Sequence, residues 1–230
     1  MAPMYRAVQN DFFHTWSPEM SYVLGFFAAD GNMIKNKRGA HFIAFYNNDR
    51  TLLVAIRRLL GSTHKIGKKV RMPPHKTAYQ LQIGSKNIFQ DLYALGMTPN
   101  KSNSLRLPRM PSIHVAHFVR GYFDGDGNVY FARHFAKDRG KYRWVFQTRF
   151  TSGSRSFLED LRKMLQDHGI LGGALIKKNR GFDLLLSHRD SVALFHLMYN
   201  NIDDGVYLKR KYILFRRAVR TLYGGVAQLA

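Results

Sequence analysis

The sequence contains Tyr22-Val-Leu-Gly-Phe-Phe-Ala-Ala-Asp-Gly-Asn-Met33 and, 96 residues later, Phe118-Val-Arg-Gly-Tyr-Phe-Asp-Gly-Asp-Gly-Asn-Val129. The two stretches share Val, Gly, Phe, Asp, Gly and Asn at equivalent positions. A similar order of strand-like and helix-like segments follows each copy, and such self-similarity indicates a repeat architecture. The sequence therefore predicts an α+β protein made of two tandem αββαββα halves.

Each copy is followed by segments whose hydrophobic pattern fits two strand pairs and two helices. In the first half, we expect strands within 33–47, a helix at 49–60, a basic hairpin with strands near 65–71 and 77–83, and a helix at 85–95. In the second half, the corresponding segments are strands at 129–134 and 142–151, a helix to about 168, strands at 175–179 and 182–187, and a helix at 190–199. Ser156 and Glu159 predict a capping box at the start of the first of these helices.

Two prolines, Pro108 and Pro111, mark the connection between the halves. Proline cannot continue a helix and restricts the residue before it, so the connection is interpreted as a linker. The predicted organisation is an N-terminal extension (1–16), a first half (17–101), a linker (102–114), a second half (115–220) and a C-terminal tail (221–230).

Both copies are apolar helices that end in Asp-Gly, at Asp30-Gly31 and Asp126-Gly127. An acid in the last helical turn is disfavoured by the helix dipole, so its presence twice indicates a function. Small residues lie four apart on one face of each helix, which lets two helices pack backbone to backbone. These residues are Gly25, Ala29, Gly121 and Gly125. Such packing would bring the two acids together.

Two converging carboxylates repel each other unless a cation lies between them. Oxygen ligands with open positions suit Mg²⁺, which can activate water for phosphodiester hydrolysis. The spacing of Asp124, Asp126 and Asn128 resembles the start of an EF-hand, but Val129 stands where that loop requires glycine. Asp124, whose place in the first copy is taken by Ala28, is interpreted as a local hydrogen-bonding residue.

The charge of the chain indicates a polyanionic partner. There are 36 Lys and Arg against 15 Asp and Glu, which gives a formal net charge of +21. Asp91 is the single acid between Arg50 and Phe123, so the bases belong to folded elements and not to a tail. A hydrophobic content of 45% excludes a disordered chain, and the absence of cysteine excludes disulfides and thiolate zinc sites. The apolar runs are too short for a membrane span, and we expect an intracellular nucleic-acid-binding protein.

The two motifs and the matching segments after them, over about Ser17 to Ala218, resemble the single-chain LAGLIDADG homing endonucleases. The resemblance implies two halves about a pseudo-two-fold axis, with the motif helices at the seam and an antiparallel β-saddle on the DNA. It also implies that Asp30 and Asp126 bind a divalent metal and direct cleavage of one strand each. The implied cofactor is Mg²⁺, for which Mn²⁺ or Ca²⁺ can substitute in binding.

The resemblance further implies a basic residue near the active site in each half. Lys101 and Lys209 match that place, either as catalytic groups or as phosphate contacts. A polar residue at the end of the second strand orients water in the family, and Asn47 fits in the first half. In the second half Phe150, Thr151 and Ser152 remain alternatives.

Alternation along the strands indicates which side chains face DNA. Gln80 and Gln82 share one strand face, and Gln147, Arg149 and Thr151 share another. Arginine and glutamine can read base edges, whereas lysine mostly neutralises phosphates. We expect DNA contacts from Lys35, Lys37, Lys65, Lys69, Arg71, Gln80, Gln82, Arg133, Gln147, Arg149, Lys177 and Arg180.

The expected function is a metal-dependent endonuclease that breaks both strands of double-stranded DNA at a long asymmetric site. The protein is expected to be a monomer encoded in an intron and to work in a bacterial or archaeal cytoplasm or nucleoid, or in an organelle matrix. One alternative is an RNA maturase that binds its host intron RNA. Another is a catalytically inactive DNA-binding protein on the same fold.

Overall fold

The computed structural model describes residues 6–70, 77–200, 202 and 205–224. These residues form two halves, each with a four-stranded antiparallel sheet and helices packed on one of its faces. The predicted α+β fold of two αββαββα repeats is confirmed. Arg71 and the connection between the two strands of the predicted basic hairpin lie outside the described residues.

The first half follows the predicted order of elements. Its sheet has the strand order β1-β2-β4-β3, with every neighbouring pair antiparallel. The elements are α1 (Pro18–Asp30), β1 (Gly31–Lys35), β2 (His41–Asn47), α2 (Arg50–Leu59), β3 (Ile66–Lys69), β4 (Ala78–Gly84) and α3 (Lys86–Ala94).

The second half repeats the same topology, with the strand order β5-β6-β8-β7. One further helix, α7, follows the repeat and continues three residues beyond the predicted end of this half. The elements are α4 (Val115–Asp126), β5 (Gly127–Ala136), β6 (Lys141–Ser152), α5 (Arg155–Gln166), β7 (Ala174–Lys178), β8 (Gly181–Ser187), α6 (His188–Tyr199) and α7 (Lys209–Tyr223).

The start of α5 differs from the prediction. Ser154, not Ser156, is the N-cap, and its hydroxyl accepts a hydrogen bond from the Phe157 backbone N–H at 3.3 Å. The same hydroxyl donates to the Leu105 carbonyl at 2.7 Å. This second bond ties α5 to the segment between the halves, a long-range contact that a local capping pattern does not contain.

Helices α1 and α4 cross with their backbones in contact. A Cβ atom added to Gly25 would lie 2.1 Å from the Phe118 carbonyl oxygen, and one added to Gly121 would lie 2.0 Å from the Tyr22 carbonyl oxygen. Only hydrogen fits at either position, because real Cβ atoms do not approach other atoms so closely. The crossing therefore depends on glycine in both helices, and it holds Asp30 and Asp126 at the same end of the pair.

The two halves share one continuous core of buried side chains around this crossing. The segment expected to be an N-terminal extension also packs on the first half, where Phe12 and Phe13 are buried. The Gln9 backbone N–H donates to the Leu60 carbonyl at 3.0 Å, which fixes this segment against the end of α2. In the part of the chain that the structure describes, no helix has the length and apolar character needed to cross a membrane.

Candidate active site

The two motif acids lie together at the tips of α1 and α4. A Cβ atom added to Gly125 would lie 3.5 Å from the Asp30 Oδ2 atom, so the end of α4 approaches this carboxylate directly. Burial and then the neighbouring Asp126 raise the pKa of Asp30 from 3.8 to about 7. Burial also raises the pKa of Asp126. The protein has thus placed two carboxylates in one poorly solvated site, where each ionised form is costly.

One lysine from each half lies over an equivalent phenylalanine of the motif. The Lys101 Nζ atom donates to the Gly31 carbonyl at 2.5 Å and lies 5.5 Å from the centre of the Phe27 ring. The Lys211 Nζ atom lies 5.5 Å from the centre of the Phe123 ring. It donates to the carbonyls of Phe123, Asp124 and Gly125 at 2.7, 2.9 and 3.2 Å. Lys211 is therefore the second-half counterpart of Lys101.

The structure does not bring Lys209, the expected counterpart, to the acids. Lys209 is the first residue of α7 and is exposed, whereas Lys211 is 7% exposed. Residues two apart on a helix point to nearly opposite sides. The run Lys209-Arg210-Lys211 offers three bases in sequence, and only the phase of α7 decides which of them faces the site.

Both lysines carry a positive charge at neutral pH beside the acids. Burial lowers the pKa of Lys101 to about 8, and Asp126 and Asp30 act against this shift. Burial likewise lowers the pKa of Lys211 to about 8. The contacts of Lys211 with the Asp124 and Gly125 carbonyls satisfy acceptors that the end of α4 leaves unpaired. The same charges can stabilise negative charge that develops on a phosphate.

The strand register settles which residue corresponds to Asn47. Gly31 pairs with Phe45 and Gly127 pairs with Phe150, so Asn47 and Ser152 occupy equivalent places two residues later. Their local bonds agree with this equivalence. The Asn47 Oδ1 atom accepts from the Asp49 N–H at 2.8 Å, and the Ser152 hydroxyl accepts from the Ser154 N–H at 3.1 Å.

The two equivalent side chains differ in reach. The Asn47 amide donates to the Asp30 Oδ2 atom at 3.5 Å, which is at the limit of a hydrogen bond. Ser152 is shorter and is 6% exposed. The first acid therefore has a side-chain amide beside it, and the site is asymmetric in the residues that surround its carboxylates.

The donor set fits a divalent cation with oxygen ligands. Asp30 and Asp126 repel each other in a buried site, and a cation between them would remove that repulsion. Within the described residues there is no cluster of three or more His, Cys, Asp or Glu side chains that could bind a metal. Asp30 and Asp126 would supply two carboxylate ligands, a number that matches the preference of Mg²⁺ for one or two carboxylates with water and phosphate oxygens.

One face of each sheet is packed by helices, and the opposite face carries the predicted amides. Gln80 and Gln82 lie on the open face of the first sheet, where the Gln80 amide donates to the Gln82 Oε1 atom at 3.0 Å. The register of β3 places Lys69 on the same face, and Lys65 directly precedes that strand. In the second half, Gln147 and Arg149 share the open face with Asn128 and Tyr130 of β5.

Three predicted DNA contacts lie on the other strand face. Lys35 shares its face with Met33, and Lys177 pairs with Phe182 beside the core face of β8. Arg133 pairs with Trp144 and lies 5.0 Å from the centre of the Tyr142 ring. Neighbouring residues of a strand face opposite sides of the sheet. At exposed positions the sequence lacks the alternation of apolar and polar residues that would show which side a residue faces.

The two remaining predicted lysine and arginine contacts lie in hairpin turns. Lys37 is in the turn between β1 and β2, and Arg180 is in the turn between β7 and β8. Both side chains are exposed. Their positions leave them free to meet a partner that covers the open faces.

Asp183 is a buried acid on the open face of the second sheet that sequence reasoning did not single out. It accepts a hydrogen bond from the Thr151 hydroxyl at 2.8 Å, and its Oδ2 atom lies 3.5 Å from Arg149 and 3.9 Å from Lys178. Asp183 therefore restrains Arg149. The sequence did not indicate Asp183 as a site residue, because basic and amide side chains are the expected DNA contacts.

Arg6 is a second residue that the sequence did not indicate. It lines a cavity of about 380 Å³ together with His64, Lys65, Gln80 and Gln82, on the open face of the first sheet. The Ala7 N–H donates to the Thr63 hydroxyl at 2.9 Å, which holds the chain beside this cavity. Because Arg6 precedes the repeat, repeat symmetry could not identify it.

Residues 17–95 and 114–197 match the family described as LAGLIDADG-like domain. Solved structures share the fold at low sequence identity. The LAGLIDADG meganuclease I-AabMI bound to uncleaved DNA is 16% identical, with a TM-score of 0.60 over 94% of both chains. I-SmaMI, bound to an uncleaved DNA target in the presence of calcium ions, is 14% identical, with a TM-score of 0.59 over 92% of this chain and 93% of that chain.

The same fold occurs in the N-terminal LAGLIDADG domain of DUF199/WhiA, which is 15% identical with a TM-score of 0.53 over 83% of this chain and 87% of that chain. A curated relative, the probable translation initiation factor IF-2 of Thermococcus kodakarensis, is 30% identical over 157 residues. The alignment covers 65% of this chain but only 12% of that protein. Because the family matches both halves, each with its own motif helix, the chain belongs to the LAGLIDADG family and carries two motifs in a single chain.

Proposed function

We propose that this protein is an intron-encoded, divalent-metal-dependent DNA endonuclease that cuts both strands of a long asymmetric target. The observation that carries the proposal is the meeting of Asp30 and Asp126, one from each half, in a single buried site. A protein that only binds DNA has no need for two carboxylates that repel each other there. DNA-bound members of the same fold support the proposed partner.

In this proposal Asp30 and Asp126 hold Mg²⁺, which Mn²⁺ or Ca²⁺ can replace for binding. The cation supplies positive charge that lowers the pKa of water and stabilises a leaving oxygen in phosphodiester hydrolysis. The Asn47 amide orients the Asp30 carboxylate. Lys101 and Lys211 keep their charges close to the acids, where negative charge on the phosphates would otherwise raise the barrier.

The open sheet faces provide the proposed DNA-binding surface. The two faces carry different side chains, with Gln80 and Gln82 in the first half and Gln147 and Arg149 in the second. Two different faces read two different half-sites, so the target is asymmetric. Because one chain supplies both acids and both faces, the protein acts as a monomer.

A selection from a randomised duplex library in Mg²⁺ provides the target for the test. Asp30→Asn and Asp126→Asn should each abolish double-strand cleavage while DNA binding survives. Asp138→Asn is a matched control, because Asp138 is an exposed acid in the turn between β5 and β6 and pairs with its neighbour Arg139. Cleavage by either motif variant at the wild-type rate would show that the acids do not act together.

Binding should also depend strongly on salt. A chain with a formal net charge of +21 releases many counterions when its basic side chains neutralise phosphates, so the affinity for the selected duplex should fall steeply as salt rises. A titration series at increasing ionic strength measures this slope. A flat slope would contradict a basic DNA-binding surface.

A nucleic-acid-binding protein without nuclease activity is the second candidate, either as an RNA maturase on its host intron RNA or as an inactive DNA-binding protein. The basic charge favours it, because phosphates of RNA and DNA attract the same surface. Competition between the selected duplex and structured RNA, with cleavage measured in the same samples, separates the candidates. Binding of RNA without any DNA cleavage would favour the maturase.

A further inference from the structure

We propose that Asp124 and Tyr22 form a link across the seam that docks the start of α7 and thereby positions Lys211. Cleavage of one DNA strand then depends on this link, whereas cleavage of the strand served by Lys101 does not. The inference rests on the proposed nuclease function and concerns how the second half completes its site. Asp124 is a positioning residue in this scheme.

One carboxylate oxygen connects three helices. The Asp124 Oδ2 atom accepts from the Tyr22 hydroxyl at 2.7 Å and from the Leu208 backbone N–H at 2.8 Å. Tyr22 belongs to α1, Asp124 to α4, and Leu208 directly precedes α7. The bond to Leu208 joins the start of α7 to the motif helix whose tip carries Asp126.

The start of α7 determines where Lys211 lies. The Lys211 backbone N–H donates to the Leu208 carbonyl at 2.9 Å, so the two residues belong to the same first turn. From there the Lys211 ammonium reaches three carbonyls at the end of α4. Loss of the Leu208 contact would therefore release the turn that holds the ammonium in place.

The burial of Asp124 lowers the stability of the folded state, which a residue with only a packing role would not need to do. Its side chain is 0% exposed, and its Oδ1 atom has no hydrogen-bond partner among the described residues. A buried carboxylate oxygen without a partner destabilises the folded state. The first motif helix shows that the seam does not require this acid, because Ala28 takes the equivalent place there.

The first half brings its lysine to the site by a different route. Lys101 begins a short 3₁₀ turn, Lys101–Asn103, after α3, and its Nζ atom donates directly to the Gly31 carbonyl beside Asp30. Ala28 has no side-chain oxygen that could bind this turn. The two lysines thus occupy equivalent positions over Phe27 and Phe123 but depend on different contacts.

The experiment uses the full chain and the selected duplex with each strand labelled separately. Asp124→Ala copies the residue that the first motif helix tolerates, and Asp124→Asn keeps the shape of the side chain without its charge. Single-turnover cleavage at saturating enzyme gives a rate for each strand, and a binding titration gives Kd. Lys211→Met and the double variant Asp124→Ala with Lys211→Met complete a cycle that separates positioning from general destabilisation.

We expect Asp124→Ala to slow one strand at least tenfold and the other less than about twofold, so that nicked duplex accumulates. The Kd should change less than about twofold, Asp124→Asn should slow the same strand less, and the double variant should be no slower than Lys211→Met. Equal slowing of both strands, or an additive loss in the double variant, would overturn the inference. If the wild type cleaves no selected duplex, the nuclease function itself fails. If the wild type cleaves the duplex and Asp124→Ala cleaves each strand at the wild-type rate, the nuclease function stands and only the inference about Asp124 fails.

Discussion

Replacement of Gly121 by alanine should destabilise the protein, although alanine is the better helix former. In an exposed helix the change stabilises by about 1 kcal/mol. Here the new methyl carbon would lie 2.0 Å from the Tyr22 carbonyl oxygen, where an ordinary contact begins near 3.4 Å. The obstacle is backbone, which cannot move aside as a side chain can. α1 and α4 must therefore separate at the seam between the halves.

Overpacking of a core typically costs about 1–3 kcal/mol, and the rigid carbonyl places this site at the upper end. We expect a net loss of about 2 kcal/mol in the free energy of unfolding, which corresponds to a fall in Tm of about 4–8 °C for a chain of this length. Gly25→Ala should behave alike, because its added carbon would lie 2.1 Å from the Phe118 carbonyl oxygen. The separation also moves Asp30 away from Asp126, so cleavage should fall even where the variant is folded.

Urea and thermal unfolding followed by circular dichroism measure the loss of stability. Gly67→Ala is the matched control, because a Cβ atom there meets only the Gln80 carbonyl oxygen at 3.8 Å. We expect this control to melt within a degree or two of the wild type. If Gly121→Ala melts at or above the wild-type temperature and cleaves normally, the backbones of α1 and α4 are not in contact and the two acids are not held together by them.

Three further outcomes follow from the site and the seam. Lys211→Met should reduce single-turnover cleavage at least tenfold, whereas Lys209→Met, which changes an exposed residue, should alter mainly the salt dependence of DNA binding. Burial, followed by Arg120, lowers the pKa of His117 from 6.5 to about 4, so the unfolded chain binds a proton between these values that the folded chain does not. The contribution of His117 to the free energy of unfolding should therefore fall by about 1–2 kcal/mol as pH drops from 7 to 4.5, allowing for solvent screening of a partly exposed ring. The raised pKa of Asp30 acts in the opposite direction, so the His117 contribution is measured as the difference between the wild type and His117→Gln. After treatment of both proteins with a chelator, Asp30→Asn should unfold at a higher temperature than the wild type, because one of the two neighbouring carboxylates is replaced by a neutral amide. Added Mg²⁺ should then raise the Tm of the wild type only. Equal stabilisation of both proteins by Mg²⁺ would contradict metal binding by Asp30.

The seam could be predicted from the sequence because its signals are local. Glycine and alanine at four-residue spacing identify one face of each helix, and Asp30 and Asp126 end both copies at the same place. The repeat then predicts the same αββαββα order of elements in both halves. No long-range information is needed for these steps, and the family match to both halves agrees with them.

The sequence alone could not assign residues whose role depends on which side of a helix they face or on where the helix begins. Lys209 and Lys211 differ only in which side of α7 they occupy, and the packing of Phe215 in the core decides that. Ser154 and Ser156 are both capable helix caps, and the bond from Ser154 to Leu105 distinguishes them. In both pairs the deciding contact comes from a distant part of the chain.

Other residues were missed because their neighbours in space are distant in sequence. Asp183 acts through Thr151 and Arg149 on a neighbouring strand, and Arg6 reaches the first sheet only because the segment before the repeat packs beside Thr63. Asp124 accepts hydrogen bonds as expected, but these bonds are not local, because its partners Tyr22 and Leu208 are 102 and 84 positions away. Long-range pairs of this kind carry no signature in a single sequence.

The positions of Lys101 and Lys211 in the chain determine the order in which the ribosome synthesises the parts of the site. Lys101 emerges from the ribosome before the second motif helix, whereas Lys211 lies in α7, which follows every other helix and strand of both halves. A nascent chain therefore contains the strands of both sheets and both acids before its second ammonium group is available. In the proposed nuclease, the site of the second half would therefore be completed late in translation, and a product that ended before α7 would lack Lys211.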